Sequence, residues 1–164
     1  MAEKRIVGRY EKVNYLKVSD KWLRMQGFTD MSKSQNAQEY SRRYVDEKSE
    51  RTDIVGVSAE IGFAFDYHLN DEVHATIAKI FDDELIGAAA VVEIVTVDFT
   101  SAASGNSFKA ISRKYAVIPD GEGDSTDAYT YSGTFKAQGD ATKGNATLDE
   151  SKMSVTAFQA TPSI

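Results

Sequence analysis

Residues 58–67 alternate strictly in character: Ala59, Ile61, Phe63, Phe65 and Tyr67 interleave with Ser58, Glu60, Gly62, Ala64 and Asp66. Side chains of an extended chain point alternately to opposite faces, so this period of two predicts a strand with one large apolar face and one small or acidic face. A strand of that kind is half-buried, and its second face meets water.

Strand signals recur along the rest of the chain. A second long strand is expected at 91–99, where Val91, Val95, Val97 and Phe99 share a face that Glu93 interrupts. Runs at 108–118 and 128–137 follow, separated by the turn-forming sequence Pro119-Asp120-Gly121-Glu122-Gly123-Asp124. Tyr129, Tyr131 and Phe135 repeat on one face of the later run. Met153, Val155 and Ala157 mark a C-terminal strand, and shorter strands are expected at 14–18 and 22–28, joined through Ser19-Asp20. One helix is expected within 70–83. Asn70-Asp71 supplies the cap, Glu72 an acid in the first turn, and Val73, Ile77, Ile80 and Phe81 an apolar stripe. Asp82-Asp83-Glu84 oppose the helix dipole at the C-terminal end, so the helix should stop before them. The predicted class is mainly β (α+β).

The segment 31–53 differs from the rest, being polar with few apolar anchors. It is expected as a long polar loop, and a loop of that length inside a compact domain signals function or disorder. Tyr40, Arg42, Arg43 and Tyr44 within it are residue types that serve interfaces.

At 164 residues the chain fits one domain, 1–164, and is long enough to bury a core without disulfide or metal staples. Cysteine is absent, which removes disulfides, thiolate metal ligands and thiol nucleophiles together. The first residues carry no apolar signal region, and the longest apolar stretch, 85–92, is far short of the ~20 residues a membrane span needs. Net charge is −6, so non-specific grip on nucleic acid is not expected. The average conceals an asymmetry: residues 1–50 hold 11 basic and 8 acidic side chains, whereas 51–164 hold 8 basic and 17 acidic. A subunit with one positive and one negative surface suits self-association by opposite patches.

The chemical motifs fail one by one. His68 and His74, six residues apart, form no metal-ligand spacing and are expected in solvent or capping roles. Asp120, Glu122 and Asp124 imitate a calcium loop, but the sixth position is Ser125 where glycine is needed, and the twelfth is Tyr131 where a bidentate Glu is needed. Gly121-Glu122-Gly123 lacks the third glycine of a dinucleotide fingerprint. No phosphate-binding loop and no nucleophile elbow occurs. The expectation is a non-enzymatic chain with no catalytic residues, no metal and no cofactor.

Three stretches carry a resemblance. They are Glu39-Tyr40-Ser41-Arg42-Arg43-Tyr44-Val45-Asp46-Glu47-Lys48 continuing through Arg51-Thr52-Asp53; Lys114-Tyr115-Ala116-Val117-Ile118-Pro119-Asp120; and Tyr129-Thr130-Tyr131-Ser132-Gly133-Thr134-Phe135-Lys136. In these, and in the order of its elements, the chain resembles the major tail proteins of long-tailed bacteriophages. It departs from them in the short Gly/Ala/Ser-rich stretches at 101–107 and 137–146. The resemblance implies a tail-tube β-sandwich or partial barrel with one flanking α-helix, assembled as hexameric rings that stack into a hollow tube for DNA. Its implied partners are copies of itself, the tape measure and the tail terminator, with double-stranded DNA in transit and no membrane. Its implied location is the virion tail, after synthesis in the host cytoplasm. Within that frame 31–53, through Tyr40, Arg42, Arg43 and Tyr44, is the candidate inter-ring loop. Glu60, Asp66, Glu93 and Asp98 are candidates to face the lumen and repel DNA. The alternative is a ligand-binding β-sandwich module, such as a carbohydrate-binding one, stacking sugars on Trp22, Tyr129 and Tyr131.

Overall fold

The computed structural model describes residues 4–101 and 105–161, so part of the Gly/Ala/Ser-rich stretch at 101–107 lies outside the described residues. Strands β1 (Lys12–Val18), β2 (Lys21–Arg24), β3 (Phe28–Ser34), β4 (Ala37–Arg42), β5 (Arg51–Val57) and β6 (Glu60–Asp66) precede the helix α1 (Glu72–Asp82). β7 (Val91–Asp98), β8 (Ser107–Glu122), β9 (Thr130–Leu148) and β10 (Ser154–Ala160) follow it. The protein is predominantly β with a single flanking α-helix among the described residues, as the alternation patterns predict.

Eight strands form one antiparallel sheet in the order β10-β2-β1-β7-β8-β9-β6-β3, and β10 pairs back onto β9. The closure uses only part of β9. Residues 144–148 pair with β10, whereas 130–136 pair with β6. The C-terminal half of β9 thus completes a six-stranded barrel, while its N-terminal half carries the sheet outward to β6 and the terminal strand β3.

Two cores lie on opposite faces of this sheet. The outer face of its flared part packs under α1, with Phe63, Phe65, Ile77, Ile80, Val92, Ile94, Tyr115 and Phe135 among the buried side chains. The barrel interior holds Val13, Tyr15, Val95, Val97, Phe108, Ala146, Leu148 and Val155. β6 touches only the first core and buries alternate residues, as the sequence pattern predicts. β7 lies between the two. Val92 and Ile94 turn to the helix while Val95 and Val97 turn into the barrel, so alternation breaks in mid-strand and more residues are buried than one face supplies.

β8 and β9 are longer than their apolar runs suggest, because each crosses from one core to the other. At the crossover Ser112 pairs with Thr142 and Lys114 with Gln138, so β9 spends three residues where β8 uses one. The Gly/Ala/Ser-rich stretch 137–146 is therefore bulged strand. Two glycines mark close approaches. A Cβ on Gly133 would stand 2.5 Å from the Ile118 carbonyl oxygen and 3.1 Å from the Phe63 ring. That bare position lets Phe63 stack on Phe135 at 4.2 Å between centroids. A Cβ on Gly144 would collide with the Gln159 backbone where β10 seals the barrel.

Asp71 caps the helix, accepting hydrogen bonds from the amides of Val73 at 3.0 Å and His74 at 3.1 Å. The helix runs one residue into the acidic stretch that was expected to end it, because buried Ile80 and Phe81 anchor its last turn. His74 overturns its expected solvent or capping role. It is fully buried, its ring stacked on Phe65 at 4.5 Å. Its Nδ1 accepts the His68 amide at 3.0 Å, so the proton sits on Nε2, which donates to the Gln26 carbonyl at 2.5 Å. With both nitrogens satisfied, the ring is a polar pin between helix and sheet.

Candidate assembly surfaces

The segment expected as a long polar loop is mostly β-structure. β3 and β6 continue past a kink as β4 and β5, a separate two-stranded ribbon that projects from the sheet. At the kink the Ser58 amide donates to the Gln35 carbonyl and the Asn36 amide nitrogen to the Ser58 carbonyl, at 3.0 and 3.2 Å. Asn36 adopts a left-handed conformation there, at φ 46°. Only residues 43–50 form the connecting turn. The ribbon escapes a search for amphipathic alternation because it buries neither face. The signal that could have found it is the β-branched run Thr52, Ile54, Val55 and Val57.

Every β4 residue is exposed, and among β5 residues only Gly56 is not. Arg42 lies 5.7 Å over the Tyr40 ring and 6.0 Å over that of Tyr44, and Arg51 lies 5.9 Å over Tyr44. Arg51 is also paired with Glu47 at 2.8 Å, and the Ser41 and Thr52 hydroxyls meet at 3.0 Å. Tyr40, Arg42 and Tyr44 are thus brought together, and Arg43 is exposed just beyond β4. Val45 is fully solvent-facing, with Ile54, Val55 and Val57 more than half exposed. These apolar side chains stand on a ribbon without a core beneath it.

The sheet face turned away from α1 carries three of the four candidate acids. Glu60 and Asp66 share it with Gly62 and Ala64, and Glu93 lies on the same side because Val92 and Ile94 point to the helix. Two of these acids are compensated by cations. Glu60 stands opposite Lys136 in register. Glu93 stands opposite Lys114, lies 3.6 Å from Lys17 and accepts the Ser112 hydroxyl at 2.8 Å. Asp66 stands opposite neutral Thr130. Asp98 lies on the other face and at the far end of β7. Its carboxylate accepts the Thr100 hydroxyl and amide, which hold it below the usual carboxylate range.

The sheet also has open margins. Among the described residues β3 ends the strand order with no strand beyond it. Residues 117–122 of β8 extend past β7 and pair with β9 alone. The aromatics proposed as a sugar platform do not share a surface. Trp22 packs against the barrel interior beneath Lys17, Tyr131 is buried in the helix-side core, and Tyr129 alone is exposed, its hydroxyl donating to Glu122 at 2.6 Å. Among the described residues no cluster of three His, Asp or Glu side chains is placed to hold a metal, and no helix is long and apolar enough to cross a membrane.

No protein-family profile matches the sequence, and no curated protein sequence does. Solved structures share the fold. A chain in the tail of an empty gene transfer agent particle, determined with C6 symmetry, superposes with a TM-score of 0.62 at 13% identity, covering 83% of this chain and 97% of that one. A chain in the virion of a native gene transfer agent gives 0.61 at 13% identity over 84% and 98%. A chain in the six-fold symmetrised baseplate of the anti-feeding prophage gives 0.52 at 9% identity over 87% and 97%. The barrel with its flared sheet and single helix is therefore the fold of chains found in phage-tail-like particles.

Proposed function

We propose that this chain is a structural subunit of a phage-type tail tube, polymerising as stacked hexameric rings into a conduit for DNA. The observation that carries the reading is the bare β4–β5 ribbon, a formed recognition element with nothing on this subunit to recognise. The fold shared with a C6-symmetric tail and the open margins at β3 and at residues 117–122 of β8 support it. Neighbouring copies would complete those margins by continuing the sheet. The ribbon, through Tyr40, Arg42, Arg43 and Tyr44, would reach the adjacent ring. Tape measure and tail terminator would meet the tube at its interior and its end, in a virion tail built in the host cytoplasm.

The lumen in this reading is lined by the sheet face that holds Glu60, Asp66 and Glu93, and it excludes Asp98, which belongs to the opposite face. Small side chains at Gly62 and Ala64 leave that wall smooth, and its near balance of acids and lysines gives passing DNA no basic track to hold. Negative-stain microscopy of the purified chain at high concentration is expected to show rings or tubes; featureless monomers at every concentration would defeat the reading. Charge reversal at Asp66 and Glu60 is expected to slow DNA delivery while tubes still form, and unchanged kinetics would remove this face from the lumen.

A further inference from the structure

β8 and β9 run together along the molecule, and charge is sorted along them. Their connecting tip carries Asp120, Glu122, Asp124 and Asp127, all exposed, and no Lys or Arg occurs between residues 115 and 135. The tip is held in shape: the Gly123 amide donates to the Thr130 carbonyl at 2.7 Å, and the Tyr129 and Thr130 hydroxyls donate to Glu122 and Asp124. Those partners are neutral hydroxyls, so neither bond is an ion pair.

At the opposite end, the outer face of the barrel has no α-helix over it among the described residues. There Asp98 stands in register between Lys12 on β1 and Lys109 on β8, and Lys143 on β9 follows beside Ile111. Arg9 joins them, donating to the carbonyls of Lys12 and Met31, and Lys33 lines the same depression. Lys12, Lys33, Lys109 and Lys143 form no salt bridge among the described residues. Five cations thus line two adjoining depressions of this face, which share Lys12, while of the acids beside them Asp98 is flanked by lysines and Glu11 is paired with Arg5. The cations come from both halves of the chain, so folding replaces the linear charge asymmetry with an axial one.

From this we infer that the acidic β8–β9 tip of one copy docks on the basic outer barrel face of the next, through Arg9, Lys12, Lys33, Lys109 and Lys143. The contact rests on the tube reading and names one of its joints. Each end repels its own kind and attracts the other, so the contact is head-to-tail. It leaves a tip and a face free after every addition, and so propagates.

Sedimentation and negative-stain microscopy of the full chain test it, with the paired reversals K109E/K143E and D120K/D127K, whose side chains make no hydrogen bond in the subunit. Each pair is expected to raise the critical concentration for polymerisation about tenfold or more, with an unchanged circular dichroism spectrum. All four reversals combined are expected to restore assembly. Raising salt from about 50 to about 500 mM is expected to weaken the wild-type polymer, because exposed charges are screened. Either pair assembling at the wild-type concentration, or the combination assembling no better than the pairs, would overturn this contact and leave the tube reading standing. A wild-type chain that never polymerises would overturn both.

Discussion

β3 pairs with β6, and β4 with β5, yet these are two stretches of one continuous pair of strands. In the root, Phe63 and Phe65 press into a core beneath the helix; in the ribbon, nothing covers either face. Slipping the root by one residue would turn those phenylalanines into water, so burial specifies its register. The ribbon is held by its turn, the Ser41–Thr52 hydroxyl pair and the Arg42–Tyr40–Tyr44 stack, each worth a fraction of a kcal/mol to about 1 kcal/mol. It also tolerates a bulge between Gln38 and Glu39. The contrast teaches that backbone pairing alone does not place a segment in the core: the root is architecture, and the ribbon, in the reading proposed above, is structure awaiting a partner.

The strongest way to break this contrast is to excise the ribbon. Replacing residues 37–57 by a short Gly-Ser turn is expected to abolish tubes while thermal melting moves by only a few degrees; a collapsed fold would show that the ribbon is architecture after all. Hydrogen exchange sharpens it next. Amides of β4 and β5 should exchange orders of magnitude faster than those of β6 and β9 in the free subunit and slow sharply on assembly, and equal protection in both states would remove the ribbon from the interface. Phe63→Ala is expected to cost about 3–5 kcal/mol in urea unfolding, through the lost burial and the cavity under the helix.

A smaller effect concerns pH. Burial pushes the Tyr15 hydroxyl, which donates to the Lys152 carbonyl at 2.7 Å, up to about 12. The fold thus favours the neutral phenol relative to the unfolded chain. That contribution is intact below about pH 10, where the unfolded tyrosine begins to ionise, and is lost as pH rises towards 12. Tyr15→Phe is expected to cost about 1 kcal/mol at neutral pH for the missing hydrogen bond, and to flatten the alkaline limb of a stability–pH profile. Smallest of all, Ile54→Ala in the ribbon is expected to change the unfolding free energy by no more than about 0.5 kcal/mol, although it too removes a β-branched apolar side chain.

The half-buried strand of 60–66 and the capped helix were legible because each touches one core and keeps one clean period. β7 was readable as a strand but not as a doubly covered one, since Val92 and Ile94 serve a second core that no linear pattern announces. The ribbon reads as a loop in the sequence for the opposite reason, because it serves no core at all. Of the candidate site residues, Tyr40, Arg42 and Tyr44 are brought together by the ribbon's turn, whereas Glu60, Asp66 and Glu93 only share one face of the sheet, spread along β6 and β7. Asp98 is separated from the other acids because parity along β7 puts it on the far side.

Local chemistry alone was enough to set the β-dominated class, the single capped helix and the absence of thiol chemistry. These depend on side-chain alternation, a capping carboxylate and residue identity, all properties of neighbours along the chain. Barrel closure through β9 and β10, the burial of His74 and the sorting of charge to opposite ends were decided only in three dimensions. Each depends on which distant segments come to lie side by side, and strand pairing between residues far apart leaves no periodic trace in either partner.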